Sequence, residues 1–167
     1  MKLISCTIEN FGKLNNVTYD FSGECNTICE DNGWGKSTLA SFIRVMFYGF
    51  KNESKKKLVD KERNRLMPWQ KGVYGGEIVF ETGGVVYSLR RTFGKKQVDD
   101  EFLLVRKDTN VECDDFSCDI GEELFKIDAQ SFERTVFIGQ SDCVTATTDS
   151  INAKIGNLAD NTDDINN

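Results

Sequence analysis

The segment ICEDNGWGKST at residues 28–38 constrains this chain more than any other feature. Gly33 and Gly35 stand directly before Lys36 and Ser37, between a short apolar stretch and a run of apolar residues at helical spacing. Against the pattern GxxxxGK[ST], Gly35 is the second glycine, Lys36 the lysine and Ser37 the hydroxyl. Backbone N–H groups from about Asn32 to Thr38, with Trp34 among them, wrap a phosphate at the positive end of the helix that follows. The lysine supplies a mobile ammonium, and the serine offers an oxygen to Mg²⁺. The position of the first glycine holds Glu30. Since Glu30 is farthest along the chain from the lysine, its side chain is free to turn away from phosphate. Turned inward, its carboxylate would repel a nucleotide.

Such a loop needs a strand before it and a helix behind it. Cys25–Cys29 (CNTIC) reads as the strand, and Lys36 to about Tyr48 as a helix apolar around most of its circumference. Earlier, residues 2–9 and 17–21 alternate as strands do, with turns expected at Asn15-Asn16 and Ser22-Gly23. Residues 49–73 are polar, basic and without periodicity, which suggests a long loop. Glu77–Glu81 and Val85–Thr92 flank Thr82-Gly83-Gly84 as a β-hairpin, and Glu101–Lys107 reads as a further strand. Residues 119–125 read as a short helix with acids in its first turn. Ser131 is a candidate cap for the next turn, before a strand over residues 135–138 that ends at Gly139-Gln140. The fold class expected is therefore α/β: a P-loop NTPase with a mixed sheet and antiparallel β-hairpins.

The composition excludes several chemistries. Histidine is absent from all 167 residues, which removes Ser-His-Asp triads, HExxH metal sites and imidazole bases. The six cysteines lack CxxC spacing, arguing against zinc. Cys6, Cys25 and Cys29 lie in or beside strand-like segments and read as small buried hydrophobes. No apolar run approaches the roughly 18–20 residues of a membrane span, and Glu9 interrupts any secretory signal, so no membrane partner and a cytoplasmic location are expected. The 12 Phe, 4 Tyr and 2 Trp indicate a globular core. Net charge is −6, yet residues 51–71 carry eight Lys or Arg against three acids. That segment is either a DNA-phosphate contact with Trp69 stacking on a base, or a solvated loop whose Trp69 packs on the neighbouring hairpin. Arg90 and Arg91 are ambiguous, because neighbours in a strand face opposite sides.

NGWGKST after a strand, the opening TIENFGKLNNVTYDF, Pro68-Trp69 followed by Tyr74-Gly75-Gly76, and Gln140 together resemble the N-terminal lobe of SMC/RecF/RecN-type ATPases of the AAA/ABC class, above all their YhaN-like bacterial branch. The resemblance covers roughly residues 1–150, a nucleotide-binding lobe, and leaves 151–167 as a polar tail or the root of a helical coiled-coil segment. It implies ATP and Mg²⁺ as cofactors. Lys13 matches a basic residue near the nucleotide at the β1 turn, the alternative being an exposed turn lysine. Gln140 matches a glutamine that ligates Mg²⁺ and touches the attacking water, the alternative being a glutamine at a strand end. Lys36 and Gln140 would then be the catalytic residues, with Ser37 and Gln140 on the metal.

No Walker B segment, LSGG-like signature or switch histidine follows. EELFKID ends in an acid but is interrupted by Lys126. In the family these parts belong to a C-terminal lobe beyond a coiled coil, which makes that lobe, and a head-to-head dimer closed on ATP, the implied partners. The implied roles are DNA repair or chromosome maintenance, with DNA a further partner. Two other readings stay open: a small P-loop kinase, and a DNA-end or partner-docking module with a vestigial nucleotide loop.

Overall fold

A computed structural model describes residues 1–23, 25–50 and 61–137 of the chain. It divides into two compact units, Met1–Ile120 and Gly121–Asn167. The first contains a six-stranded sheet in the order β2-β1-β3-β4-β5-β6, with β1 Lys2–Phe11, β2 Leu14–Asp20, β3 Gly75–Thr82, β4 Val85–Thr92, β5 Glu101–Arg106 and β6 Val111–Glu112. Every pairing among the described residues is antiparallel, so the expected mixed sheet is not what the described residues form.

Period-two alternation decides the faces. Cys6 and Ile8 of β1, Ile78 and Phe80 of β3, Leu89 of β4 and Leu104 of β5 are buried on one side. That side receives α1 (Lys36–Tyr48), with Phe42 edge-on to Phe11 at 5.2 Å and Phe47 edge-on to Phe80 at 5.7 Å. The other side is polar: Thr7 meets Thr18 across β1 and β2 at 3.2 Å, Arg90 pairs with Glu9, and Lys107 reaches Glu77 at 3.4 Å. Alternation also resolves the arginine pair. Arg90 joins the polar ladder, whereas Arg91 is buried over the Phe102 ring at 4.8 Å, where loss of water pushes its guanidinium down to about 10.

Several local expectations change. The turn between the first two strands lies at Gly12-Lys13, not at Asn15-Asn16, which belong to β2. Asn16 keeps a left-handed φ of 48° within that strand. Residues 49–73 are not wholly irregular, since Glu62–Arg65 form the short helix α2. Cys25–Cys29 pairs with no strand among the described residues and is largely exposed. Its alternation is local, but a strand exists only where a neighbour takes up its backbone groups.

Cys25 and Cys29 are accordingly not core residues, while Cys6 is fully buried and its thiol is pushed up to about 12 by burial. Labelling the native protein with an aromatic disulfide reagent at mildly alkaline pH is expected to modify Cys25, Cys29 and Cys118, and to reach Cys6 only after denaturant is added. Peptide mapping of the labelled sites checks this. Modification of native Cys6 would contradict its place between β2 and β3.

In the second unit, α3 (Ile120–Phe125, entered from the last residue of the first unit) ends at Lys126, which adopts a left-handed φ of 58°. Next comes α4, Ala129–Thr135. Its cap is Asp128, whose carboxylate accepts from the Ser131 N–H at 2.6 Å; Ser131 lies inside the helix rather than capping it. The strand expected over residues 135–138 is overturned as far as it is described. Thr135 is helical, and the N–H groups of Val136 and Phe137 both donate to the Phe132 carbonyl at 2.9 Å. The β-branched pair suggested a strand; a well-capped helix start overrides that weak preference. Residues 138–167, with Gln140 and the expected boundary at 150, lie outside the described residues.

Candidate functional site

Helix α1 starts at Lys36 from Gly35, whose φ of 125° and ψ of 19° no residue with a Cβ adopts readily. A Cβ there would also meet the Leu14 side chain at 2.9 Å and the Lys13 side chain at 3.4 Å. Gly33, at φ 83°, makes the preceding bend in open space. Between them Trp34 donates its N–H to the Asp31 carbonyl at 3.2 Å and sets its ring edge-on to Tyr19 at 5.9 Å. The loop is thus fastened to β2 through one aromatic pair, and the first turn of α1 carries no acidic residue to oppose its positive end.

Lys36 turns back over this loop. Its ammonium donates to the carbonyls of Glu30 at 2.5 Å and Asp31 at 3.0 Å. The position where a glycine was expected therefore contributes a backbone carbonyl, which glutamate supplies as well as glycine. The Glu30 side chain is exposed, and its charge helps raise the Tyr19 phenol, after the larger effect of desolvation. Glu30 is therefore near the Tyr19–Trp34 side of the loop, and nothing in its geometry closes the loop.

Ser37 is exposed and Thr38 half-buried, both on the lining of a cavity of about 500 Å³ that Gly12 and Lys13 also line. The β1–β2 turn is held against the start of α1 because Gly12 has no side chain: a Cβ would lie 2.9 Å from Thr38 Cγ2. This brings Lys13, Gly33, Trp34, Gly35, Lys36, Ser37 and Thr38 into one neighbourhood, with exposed Asn32 at the bend of the loop. The Lys13 ammonium, the Ser37 hydroxyl and the unneutralised start of α1 border an open cavity that suits a polyphosphate with a divalent cation. Lys36 lies on the adjoining loop and is not among the residues that line the cavity. Gln140 falls outside the described residues. Among the described residues no group of three His, Cys, Asp or Glu side chains is placed to hold a metal, and no helix is long and apolar enough to cross a membrane.

Sequence reasoning missed Ser41, Arg65 and Leu66, which line the same cavity. Ser41 follows Ser37 by one helical turn, a signal that was available. The other two arrive through the excursion between α1 and β3, which no local pattern positions. Trp69, in that excursion, is fully exposed and does not pack on the hairpin.

The comparisons with known proteins bear on the family of the chain. Residues 5–167 match a family model described as an AAA domain. An 82-residue stretch is 35% identical to the uncharacterized protein YhaN of Bacillus subtilis (strain 168), covering 48% of this chain and 8% of that protein. The chain therefore spans less than a tenth of the curated relative it matches. A glycine loop that curls around its own lysine at the head of a buried helix, within a match covering nearly the whole chain, leads to one assignment: this chain belongs to the AAA domain family, as an N-terminal region of the AAA/ABC type.

Proposed function

We propose that this chain binds ATP with Mg²⁺ through the loop at residues 30–38, as the N-terminal half of an SMC-like P-loop ATPase head. The observation that carries the reading is Lys36, whose ammonium is drawn over the loop by two backbone carbonyls at 2.5 and 3.0 Å. Those contacts hold the charge at the mouth of the loop, ready to exchange carbonyl oxygens for phosphate oxygens. Backbone N–H groups from Asn32 to Thr38 cradle the phosphates, the Ser37 hydroxyl offers a metal ligand, and Lys13 adds a second cation at the cavity wall. Gln140 is assigned to the metal and the attacking water by its resemblance alone. The bound nucleotide supplies a phosphoanhydride for hydrolysis, and Lys36 would then neutralise charge on the transferred group.

Hydrolysis needs an acid that no apolar Asp-Glu segment of this chain supplies. A second lobe supplies it in our reading. Closure of two heads over ATP, and service in DNA repair or chromosome maintenance, extend the same proposal.

Calorimetry with Mg-ATP tests it. Lys36→Ala is expected to weaken binding about tenfold to a hundredfold, as the loss of one charged hydrogen-bonding group implies. Glu30→Gly is expected to stay within about twofold of the parent, because the contact made at position 30 is a main-chain one. Equal binding by parent and Lys36→Ala would refute the site.

A further inference from the structure

Trp69 is fully exposed, and of the large apolar side chains among the described residues it is the most exposed. Tryptophans bury on the order of 150–250 Å² when packed, so one left wholly in water is an unusual surface. It is not on a slack loop. Upstream, Leu66 is buried and its carbonyl accepts the Gly12 N–H at 2.6 Å. Downstream, the Asn10 side-chain amide donates to the Val73 carbonyl at 3.1 Å. At Gly72, φ is 142° and a Cβ would lie 2.6 Å from that same amide, so the chain turns there only as glycine. Pro68 fixes the backbone immediately before the indole. The strap at residues 66–73 is therefore tied to the β1–β2 turn before Trp69 and to β1 after it.

This strap closes on the phosphate loop. Trp69, Arg65 and Leu66 line the same cavity as Ser37, Thr38 and Lys13. Its volume of about 500 Å³ is within the range of small-molecule sites. We propose that Trp69 is the stacking platform for the purine ring of the nucleotide whose phosphates the 30–38 loop holds, a role that rests on the function proposed above. Stacking covers one face of the indole and one face of the base, removing apolar area from water at both. Arg65, with an exposed guanidinium held only loosely by Glu62 at 3.9 Å, is free to swing over the ribose side of the cavity. Every base has a π-face, so the platform raises affinity for a nucleotide over bare polyphosphate without choosing adenine over guanine.

Affinities for Mg-ATP, Mg-GTP and magnesium tripolyphosphate, measured on the full chain and its variants, test this. Trp69→Ala is expected to weaken ATP and GTP roughly tenfold to a hundredfold and to leave tripolyphosphate unchanged, whereas Trp69→Tyr restores most of the loss. Circular dichroism of each variant controls for folding. If tripolyphosphate binds and Trp69→Ala leaves the nucleotides unchanged, the stacking role is overturned while the phosphate loop stands. If neither nucleotide nor tripolyphosphate binds the parent, the loop assignment falls, and the platform with it. A Trp69→Ala defect confined to a single-stranded oligonucleotide would overturn the proposal in favour of a nucleic-acid contact.

Discussion

Gly76→Ala is expected to cost about 4 kcal/mol or more, a large share of the roughly 5–15 kcal/mol that stabilises domains of this kind, and to lower the urea midpoint sharply. Gly76 lies in β3 opposite Ile8 of β1, and a Cβ there would fall 2.1 Å from the Thr7 carbonyl oxygen and 3.0 Å from the Phe42 ring. The nearest atom is backbone in the next strand, so no rotamer change relieves the clash. Separating β1 from β3 would also lift Phe42 and the rest of α1 off the sheet. Its neighbour Gly75 is equally constrained on the other side, with φ 150° and a Cβ position 2.0 Å from the Arg91 carbonyl oxygen. The pair lets three strands approach where α1 crosses them. A urea titration checks the prediction, with Gly83→Asn as control: Gly83, at φ 59° in open space, tolerates asparagine within about 1 kcal/mol. An unchanged midpoint for Gly76→Ala would mean the strands do not meet there.

Arg63→Ala is expected to destabilise the first unit by about 3 kcal/mol. The four-residue helix α2 is too short to stand alone, and its place depends on what its side chains reach. The Arg63 guanidinium makes two parallel bonds to Asp100 at 2.6 and 2.8 Å and donates to the Gly94 carbonyl at 3.0 Å. It also covers the Phe50 ring at 4.7 Å. Phe50 in turn stands against Phe93 at 5.0 Å and Tyr74 at 6.0 Å, while the Tyr74 hydroxyl donates to the Arg63 carbonyl at 3.1 Å. With the Arg63 side chain 4% exposed and that of Asp100 16%, truncation strands a partly buried carboxylate. Asp100 keeps the Gly94 N–H at 3.0 Å, which holds the cost near the lower end for a broken buried pair. The double variant Arg63→Ala/Asp100→Ala should therefore recover part of the loss, and a double-mutant cycle in urea reads the coupling. Additive losses would show that the pair is not the anchor of α2. Because α2 leads into the strap that carries Trp69, the same variant is expected to weaken nucleotide binding even though Arg63 touches no part of the loop.

The local elements were legible where a residue's conformation depends on its immediate neighbours. The hairpin at Gly83-Gly84, the alternation of β1, the apolar helix after Ser37 and the acidic start of α3 all follow from periods of two or 3.6 and from turn residues. Gly33, Gly35, Lys36 and Ser37 were legible for the same reason, since a phosphate loop is made of consecutive residues. Elements that depend on a distant partner were misread. CNTIC alternates without finding a neighbour among the described residues, and Thr135-Val136 continue the helix that Asp128 caps. The burial of Cys25 and Cys29 failed together with the strand that was to bury them.

The sequence by itself determined that this chain carries a glycine loop before a buried helix, that histidine chemistry is closed to it, and that its strands present one apolar and one polar face. These are properties of composition and short-range spacing, and they hold however the chain is arranged in space. Only the tertiary structure decided which residues share the cavity. Lys13, Ser37, Arg65 and Trp69 are brought together by a turn without a Cβ at Gly12, a carbonyl at Leu66 and an amide at Asn10. Contacts of that kind join positions far apart in the chain, Gly12 with Thr38 and Leu66 and Asn10 with Val73, and no local pattern records them. The same holds for Glu30: as a letter it breaks the motif, but in space it offers Lys36 a carbonyl, and every residue has one.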